Sequence, residues 1–129
     1  KIAKGEIHSA TVYEDIHFTV ILDVNPATKG HCLIIPKEHF DNIYDLDGET
    51  AGKLFALATC IARAMKDALK CDGLNLVQNN GEVAGQTVNH FHLHLIPRYE
   101  GDGLNLNWPQ QEISGEQLEE IRQSIKKSI

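Results

Sequence analysis

The chain has 129 residues, of which 42% are hydrophobic and 23% charged, and its formal net charge is -6 at pH 7. This length and composition predict one domain, residues 1–129, with a core large enough to fold unaided. The negative charge argues against a nucleic-acid-binding protein, which would usually show a basic patch. No apolar run approaches the ~18 residues of a membrane span, and the cysteines are interpreted as reduced thiols. We therefore expect a cytoplasmic protein without a membrane partner.

Three short apolar segments in the first third of the chain predict β-strands: residues 11–13, 18–23 and 31–36. The links between them are short, and Asn25-Pro26 with Lys29-Gly30 marks a turn before the third segment. Strands joined by such short links favour an antiparallel meander.

The longest predicted element is a helix over residues 49–70. Asp47 suits its N-cap, Glu49 suits the positive end of the helix dipole, and Gly73 is expected to close it. Apolar residues recur every three or four positions along it: Leu54, Ala58, Ile61, Met65, Ala68 and Leu69. Such a stripe is typical of a core or a subunit interface.

Two further strands are predicted after this helix. Residues 74–79 form the fourth strand, and residues 80–85 form a glycine-containing turn. Residues 86–98 form the fifth strand.

A second helix is predicted near the C-terminus, after an irregular segment over residues 99–109 that holds Trp108. Ser114 and Gln117 form a capping box at its start. The apolar side of this helix consists of four residues: Leu118, Ile121, Ile125 and Ile129. The predicted fold class is α+β, with a five-stranded antiparallel sheet, one long helix and a C-terminal helix.

Histidines and large apolar residues alternate along the fifth predicted strand: His90, His92 and His94 against Phe91, Leu93 and Leu95. Side chains on a strand point to opposite faces with period two. The apolar residues can therefore bury against a core, while three imidazoles stand in a row on the other face, about 7 Å apart. A row of this kind indicates a site for metal or phosphate chemistry.

Phosphate chemistry at this row would use a histidine as nucleophile, with one ring nitrogen aimed at phosphorus and the other fixed by an acceptor. His92, at the centre of the row, is the candidate. Donors for the developing charge are available just before the strand, from Asn79, Gln86, Thr87 and the backbone near Gly85.

Metal binding is the rival interpretation. Alternating His-x-His on a strand is a metal-ligand spacing, and His31 or His39 could supply a further ligand. His31 follows a turn glycine and begins a strand, so a supporting role is expected for it in either chemistry. The residues alone leave both alternatives open.

Residues 90–96 match the His-φ-His-φ-His-φ-φ signature of the histidine triad (HIT) family. Further segments match that family's sequence pattern at the corresponding positions: residues 4–7, 12–15, 22–26, 30–31, 35–39 and 79–86. The chain therefore resembles the HIT family over nearly its whole length, and within that family it is similar to bacterial proteins of the Hint-like branch.

The resemblance implies attack on the α-phosphorus of a nucleoside monophosphate derivative, followed by hydrolysis of a nucleotidyl-histidine intermediate. By position, His92 would be the nucleophile. His94 would contact the phosphate and help protonate the leaving group, and His90 and His31 would support the site.

The implied substrate is a purine nucleotide, an AMP derivative, and no cofactor is implied. Asp23 would accept from the ribose hydroxyls, and Ile21 and Val24 would line the base pocket. The phosphate side would be contacted by four residues: Asn79, Gly85, Gln86 and Thr87. The expected function is a purine nucleoside phosphoramidate or nucleotide hydrolase. The alternatives are a diadenosine polyphosphate hydrolase and a nucleotide-binding adaptor with incidental hydrolysis.

The resemblance also implies a homodimer whose two sheets join into one sheet of ten strands. In relatives the C-terminal segment often reaches the partner's active site, which makes Trp108 a candidate for specificity.

Two features depart from the family pattern. Many bacterial relatives carry a Cys-x-x-Cys pair before the stretch that matches residues 1–3. That pair binds structural zinc together with residues matching His39 and His90. This sequence has no such pair, and we predict no metal site. The Pro97-Arg98 ending resembles the diadenosine-polyphosphate-hydrolysing branch, which leaves the substrate open.

Overall fold

The computed structural model describes residues 10–129, so the match over residues 4–7 lies outside the described part. In chain order the elements are β1 (Thr11–Glu14), β2 (Phe18–Leu22), β3 (Cys32–Pro36), α1 (Gly48–Leu69), β4 (Gly73–Val77), β5 (Leu93–Arg98) and α2 (Gly115–Ser128). A single 3₁₀ turn over Glu82–Ala84 lies between β4 and β5. The predicted α+β class, with five strands and two helices, is confirmed.

The five strands form one antiparallel sheet in the order β1-β2-β3-β5-β4. The first three strands make the predicted meander, and β5 then inserts between β3 and β4. His94 pairs with Leu33 on one side and Val77 on the other. The second half of the histidine motif is therefore held by hydrogen bonding on both sides.

Helix α1 covers one face of the sheet. Leu54, Ala58, Ile61 and Met65 are buried there, as the predicted stripe requires, whereas Ala68 is exposed. Their partners include the apolar residues of the histidine motif: Phe91, Leu93 and Leu95. Each fully buried side chain of this size contributes about 1.5–3 kcal/mol. The core therefore stabilises the strand that carries the histidines.

Both ends of α1 lie within one residue of the predicted bounds, but the residue predicted to close the helix is wrong. The Asp47 side chain accepts from the Thr50 N–H at 3.0 Å, which confirms the N-cap. The C-cap is Lys70, in the left-handed region at φ 54°, while Gly73 opens β4. The chain turns early because Asp72 N–H already donates to the Arg98 carbonyl at 2.8 Å, which draws it into the sheet.

The predicted strand over residues 86–98 is wrong in its first half, because β5 begins only at Leu93. Continuing the β3 register from Ile34↔Leu93 would place Pro36 opposite Phe91. Proline has no N–H to extend the ladder. Phe91 N–H donates instead to the Phe40 carbonyl at 2.6 Å. The alternation of burial nevertheless persists through this segment, with Phe91 buried between two half-buried histidines.

Helix α2 has the predicted capping box, in which Ser114 and Gln117 bond reciprocally. All its residues are exposed, including the apolar side that was predicted for it. Within residues 10–129, neither helix combines the length and the apolarity that crossing a membrane requires.

Candidate active site

Three predicted site residues meet where β2 turns into β3 beside β5. His31 Nε2 lies 2.9 Å from His94 Nδ1, and the Asp23 carboxylate lies 3.8 Å from His31 Nε2. The turn that brings them together is closed by the Asp23 N–H, which donates to the His31 carbonyl at 2.8 Å. The sheet therefore places residues far apart in the sequence into one row.

The hydrogen bonds in this row fix where the protons are. Ala27 N–H donates to His31 Nδ1 at 3.0 Å, so that nitrogen is an acceptor and His31 carries its proton on Nε2. His31 Nε2–H then donates to His94 Nδ1. In its neutral form, His94 consequently carries its own proton on Nε2, the nitrogen that faces away from His31.

Both of these histidines are held neutral. Burial, together with the neighbouring His92 and His31 rings, lowers the pKa of His94 to about 4, with Asp23 acting in the opposite direction. Burial also lowers the pKa of His31, again with Asp23 acting in the opposite direction. At pH 7 the pair therefore presents one N–H donor from His94 and no imidazolium.

His92 carries its proton on the other ring nitrogen, Nδ1. Its Nδ1 lies 2.8 Å from the His90 backbone carbonyl, which can only accept, so Nδ1 carries the proton. Nε2 is then free to offer a lone pair. The His92 and His94 rings meet edge to face, with centroids 4.9 Å apart. A nucleophilic nitrogen and an N–H donor thus stand side by side.

His90 belongs to a second pair, with His39. Their Nδ1 atoms face each other at 3.1 Å, while His90 Nε2 faces the Pro36 carbonyl at 2.9 Å and His39 Nε2 faces the Asp41 carboxylate at 2.7 Å. Both Nε2 atoms thus face acceptors, while the two Nδ1 atoms face each other. Within residues 10–129 no third ligand completes a metal-binding group with these histidines, and a structural zinc site takes four ligands. The described residues alone therefore do not make the zinc site of the relatives.

Asp23, His31 and His94 are the one group among the described residues whose ligand atoms are close enough to share a metal ion. A metal there would need the lone pair of His31 Nε2. Freeing that lone pair would move the proton to Nδ1, where it would oppose the Ala27 N–H. The donor chemistry of this group favours a hydrogen-bonded relay over a metal centre.

The glycine-containing turn uses its polar groups internally. Gly85 N–H donates to the Glu82 carbonyl at 2.9 Å, and Gln86 N–H donates to the Gly81 carbonyl at 3.0 Å. The Gln86 side chain accepts from Gly81 N–H at 2.8 Å and donates to the Asp41 carbonyl at 2.6 Å. These groups shape the loop, and the predicted phosphate contact of Gln86 would break them.

The other predicted binding residues differ in how exposed their side chains are. The Asn79 side chain lies against Gly85, and Thr87 and Val24 are exposed. Ile21 is only 3% exposed, since it packs with Leu33 and Ile35. Val24 is thus the one of the two predicted base-pocket residues that has a free surface.

Arg98 does not carry a free charge toward the site. Its guanidinium donates to both oxygens of Asp102, to the Asn75 side chain and to the Leu104 carbonyl. These bonds hold the pKa of the Asp102 carboxyl well below its usual range. Arg98 therefore anchors the segment that leaves β5.

Sequence reasoning missed the backbone groups that assign the protons: Ala27 N–H and the carbonyls of Pro36 and His90. The turn signal around Pro26 located the loop that holds Ala27. No residue pattern indicates which backbone group of a loop meets a ring nitrogen.

Comparisons with known proteins agree with this geometry. The HIT domain profile matches residues 4–101. The Protein hit of Bacillus subtilis is 46% identical over 132 residues, covering 100% of this chain and 91% of that protein. An adenosine 5'-monophosphoramidase of Saccharomyces cerevisiae is 39% identical, covering 97% of this chain and 77% of that protein.

Solved structures show the same architecture. A crystal structure of a HIT family member from Bacillus subtilis superposes with a TM-score of 0.91 at 45% identity, covering 100% of this chain and 94% of that one. A HIT family protein from Bacillus anthracis gives a TM-score of 0.90 at 46% identity, with the same coverage. With the family profile, the relatives and the fold in agreement, this chain belongs to the HIT family.

Proposed function

We propose that this protein hydrolyses purine nucleoside phosphoramidates, AMP joined to an amine, through a covalent nucleotidyl-His92 intermediate. The observation that carries the proposal is the contact between His92 Nδ1 and the His90 carbonyl. It fixes the tautomer that leaves Nε2 as a nucleophile. The name of the yeast relative, adenosine 5'-monophosphoramidase, supports the substrate class.

In the first step, His92 Nε2 forms a bond to the α-phosphorus and the bond from phosphorus to the leaving nitrogen breaks. The leaving nitrogen takes a proton from solvent and departs as the amine, while the neutral His94 Nε2–H, beside the His92 ring, donates a hydrogen bond to a phosphoryl oxygen. His31 Nε2–H, donating to His94 Nδ1, holds His94 in this tautomer. In the second step water attacks phosphorus, the His92–phosphorus bond breaks, and the proton from water returns to solvent.

Asp23 is proposed to hold the ribose. Its carboxylate lies beside His31, accepts one N–H from Asn25 at 2.9 Å and keeps further lone pairs for two hydroxyls. The exposed Val24 would contact the base. Asn79, beside Gly85, and Thr87 are proposed on the phosphate side.

The leaving group is proposed to be an amine. A diadenosine polyphosphate would bring a chain of additional negative charge, and Arg98, the residue that suggested such a substrate, is already bound to Asp102. The donors proposed at the phosphate, His94 Nε2–H with Asn79 and Thr87, are all neutral. Neutral donors fit a single phosphoryl group better than a polyphosphate chain.

The test measures turnover of adenosine 5'-phosphoramidate and of diadenosine tetraphosphate by the unaltered chain and by His92→Ala. We expect faster turnover of the phosphoramidate and a loss of at least about a thousandfold in His92→Ala, because the nucleophile is removed. His17→Ala, in the exposed turn before β2, is the matched control. Intact-mass measurement after rapid acid quench should show one nucleotidyl group on the unaltered chain only.

Full activity of His92→Ala would contradict the mechanism. Tight AMP binding by calorimetry without turnover of either substrate would instead favour a nucleotide-binding adaptor. Faster turnover of the dinucleotide would overturn the assignment of the leaving group.

We also propose that the protein acts as a homodimer. Strand β4 lies at an edge of the sheet, with Leu76 40% exposed. Helix α2 exposes its whole apolar side, although a 14-residue helix is marginal in water without a packing partner. A second copy pairing along β4 would satisfy that edge and offer a surface to α2.

A further inference from the structure

Several contacts hold the loop between β2 and β3 in place, and the proposed mechanism gives these contacts no role. Its Ala27 N–H sets the tautomer of His31, yet Ala27 itself is exposed. A backbone N–H in an exposed loop holds a ring nitrogen only if the loop is held elsewhere. The anchoring of this loop therefore bears directly on the chemistry of the histidines.

The principal anchor is Thr28, which is buried at 9% exposure although its neighbours Ala27 and Lys29 are exposed. Its hydroxyl donates to the Pro97 carbonyl of β5 at 2.5 Å. Its own carbonyl accepts from the His31 N–H at 3.2 Å. Thr28, the residue that follows Ala27, thus ties this loop to the strand that carries His94.

A second anchor lies on the exposed side of the same loop. Tyr99, just beyond β5, donates its hydroxyl to the Lys29 carbonyl at 2.7 Å. Gly30 packs so closely against Leu69 that an added Cβ would lie 2.5 Å from it. The loop is therefore tied to β5 and to the end of α1, with the Thr28 bond nearest to Ala27.

We propose that Thr28 is a positioning residue whose hydroxyl, by tying the β2–β3 loop to Pro97, keeps the Ala27 N–H on His31 Nδ1 and so keeps the proton of His94 on Nε2. Without this tie, His31 can carry its proton on Nδ1. His94 Nδ1 then faces a lone pair and takes the proton itself, which leaves Nε2 without one. A hydroxyl that touches neither ring thus decides which His94 nitrogen can donate to the substrate.

The experiment uses the full chain with three substitutions: Thr28→Val, Thr28→Ser and Thr59→Val. Thr59→Val removes an exposed hydroxyl that bonds within α1 and serves as the matched control. Long-range ¹H–¹⁵N correlation at pH 7 reports which nitrogen of His31 and His94 is protonated, and needs no substrate. Turnover of adenosine 5'-phosphoramidate gives kcat and KM.

In Thr28→Val we expect the His31 and His94 signals to move toward the opposite tautomers. We expect kcat to fall by about tenfold to a hundredfold, with KM changed less than about twofold. Thr28→Ser, which keeps the hydroxyl, should restore both readings, and Thr59→Val should match the unaltered chain. Unchanged tautomers in a folded Thr28→Val would overturn the proposal. If Thr28→Val does not fold, Thr28→Ala removes the same hydroxyl with a smaller side chain, and unchanged tautomers with full kcat there would overturn it.

The rate effect rests on the proposed function, whereas the tautomer effect does not. If the unaltered chain turns over no phosphoramidate but Thr28→Val shifts the tautomers, the proposed function fails and the positioning role stands. If His92→Ala abolishes turnover but Thr28→Val leaves the tautomers unchanged, only the positioning role fails.

Discussion

At the scale of single residues, the backbone decides which nitrogen of each histidine carries the proton. A carbonyl beside His92 makes its Nδ1 a donor, whereas an N–H beside His31 makes its Nδ1 an acceptor. Two adjacent rings, His92 and His94, consequently present a lone pair and an N–H to the same space. Residue type alone would have made them equivalent.

The low pKa of His94 predicts a dependence of stability on pH. In the unfolded chain His94 has the ordinary pKa of 6.5, against about 4 when folded, so between these values the unfolded state binds the extra proton. We expect the free energy of unfolding to be fully retained above about pH 6.5 and to fall as the pH drops toward 4. The lowered pKa of His31 acts in the same direction.

Urea unfolding of the unaltered chain and of His94→Gln, followed from pH 8 to pH 4, tests this linkage. The variant cannot gain the proton, so its stability should fall less steeply below pH 6.5, while the two curves run parallel above pH 7. Equal slopes for both proteins below pH 6.5 would show that His94 is not held neutral by the fold.

The sequence indicated which residues would form the candidate site but not their protonation. Strict alternation pointed to His90, His92 and His94, because period-two spacing is a local property of the chain, and their roles stay a prediction. The acceptor and donor roles come from backbone groups that no residue pattern marks: Ala27, near His31 in the sequence, and Pro36, far from His90. The Gln86 side chain bonds to Gly81 and Asp41, and its predicted contact with phosphate stays a prediction.

At the scale of elements, the loop before β3 depends on a glycine at position 30. Gly30 adopts φ +96°, and a Cβ there would meet the Leu69 side chain. We expect Gly30→Ala to lower the free energy of unfolding by about 1–3 kcal/mol, because both the backbone conformation and the packing oppose it.

Gly52, inside α1 with nothing within 4 Å of its missing Cβ, provides the matched substitution. Gly52→Ala should raise stability by about 0.5–1 kcal/mol, since alanine favours a helix interior. Chemical denaturation of both variants against the unaltered chain measures the difference. A Gly30→Ala protein as stable as the unaltered chain would show that the loop tolerates rearrangement at Leu69.

Elements with strong periodicity were predicted well, and their ends were predicted less well. The stripe of α1 and its Asp47 cap depend on neighbouring residues and were confirmed. The closing residue of α1 is Lys70 and not Gly73, because Asp72 already pairs with Arg98 across the sheet. Only the tertiary arrangement contains that information, because the competing hydrogen bond comes from a distant strand.

At the scale of the whole molecule, two elements expose apolar residues where a second copy is proposed. The apolar side of α2 is open, and β4 lies at an edge of the sheet with Leu76 partly exposed. An uncovered edge of this kind pairs readily with another strand. Within residues 10–129, neither α2 nor the outer side of β4 has a packing neighbour.

Sedimentation velocity of the unaltered chain, of Leu76→Arg and of Ile16→Arg tests the proposed dimer. We expect twice the 14.4 kDa chain mass for the unaltered protein and a single-chain mass for Leu76→Arg, because a charge on an edge strand opposes pairing. Ile16 is 83% exposed in the turn before β2, so Ile16→Arg should remain a dimer. A single-chain mass for the unaltered protein at micromolar concentration would refute the dimer.

The proline that ends the ladder between β3 and β5 has a chemical consequence as well as a geometric one. In a regular sheet, the main-chain oxygens of residues 36 and 90 would be candidates for inter-strand bonds. With the ladder interrupted at Pro36, its oxygen takes the His90 ring as a donor, and the oxygen of His90 takes the His92 ring. Pro36, which has no N–H, thereby influences which ring nitrogens of His90 and His92 carry their protons. The interruption of the β3–β5 ladder is thus part of what sets the chemistry of these two histidines.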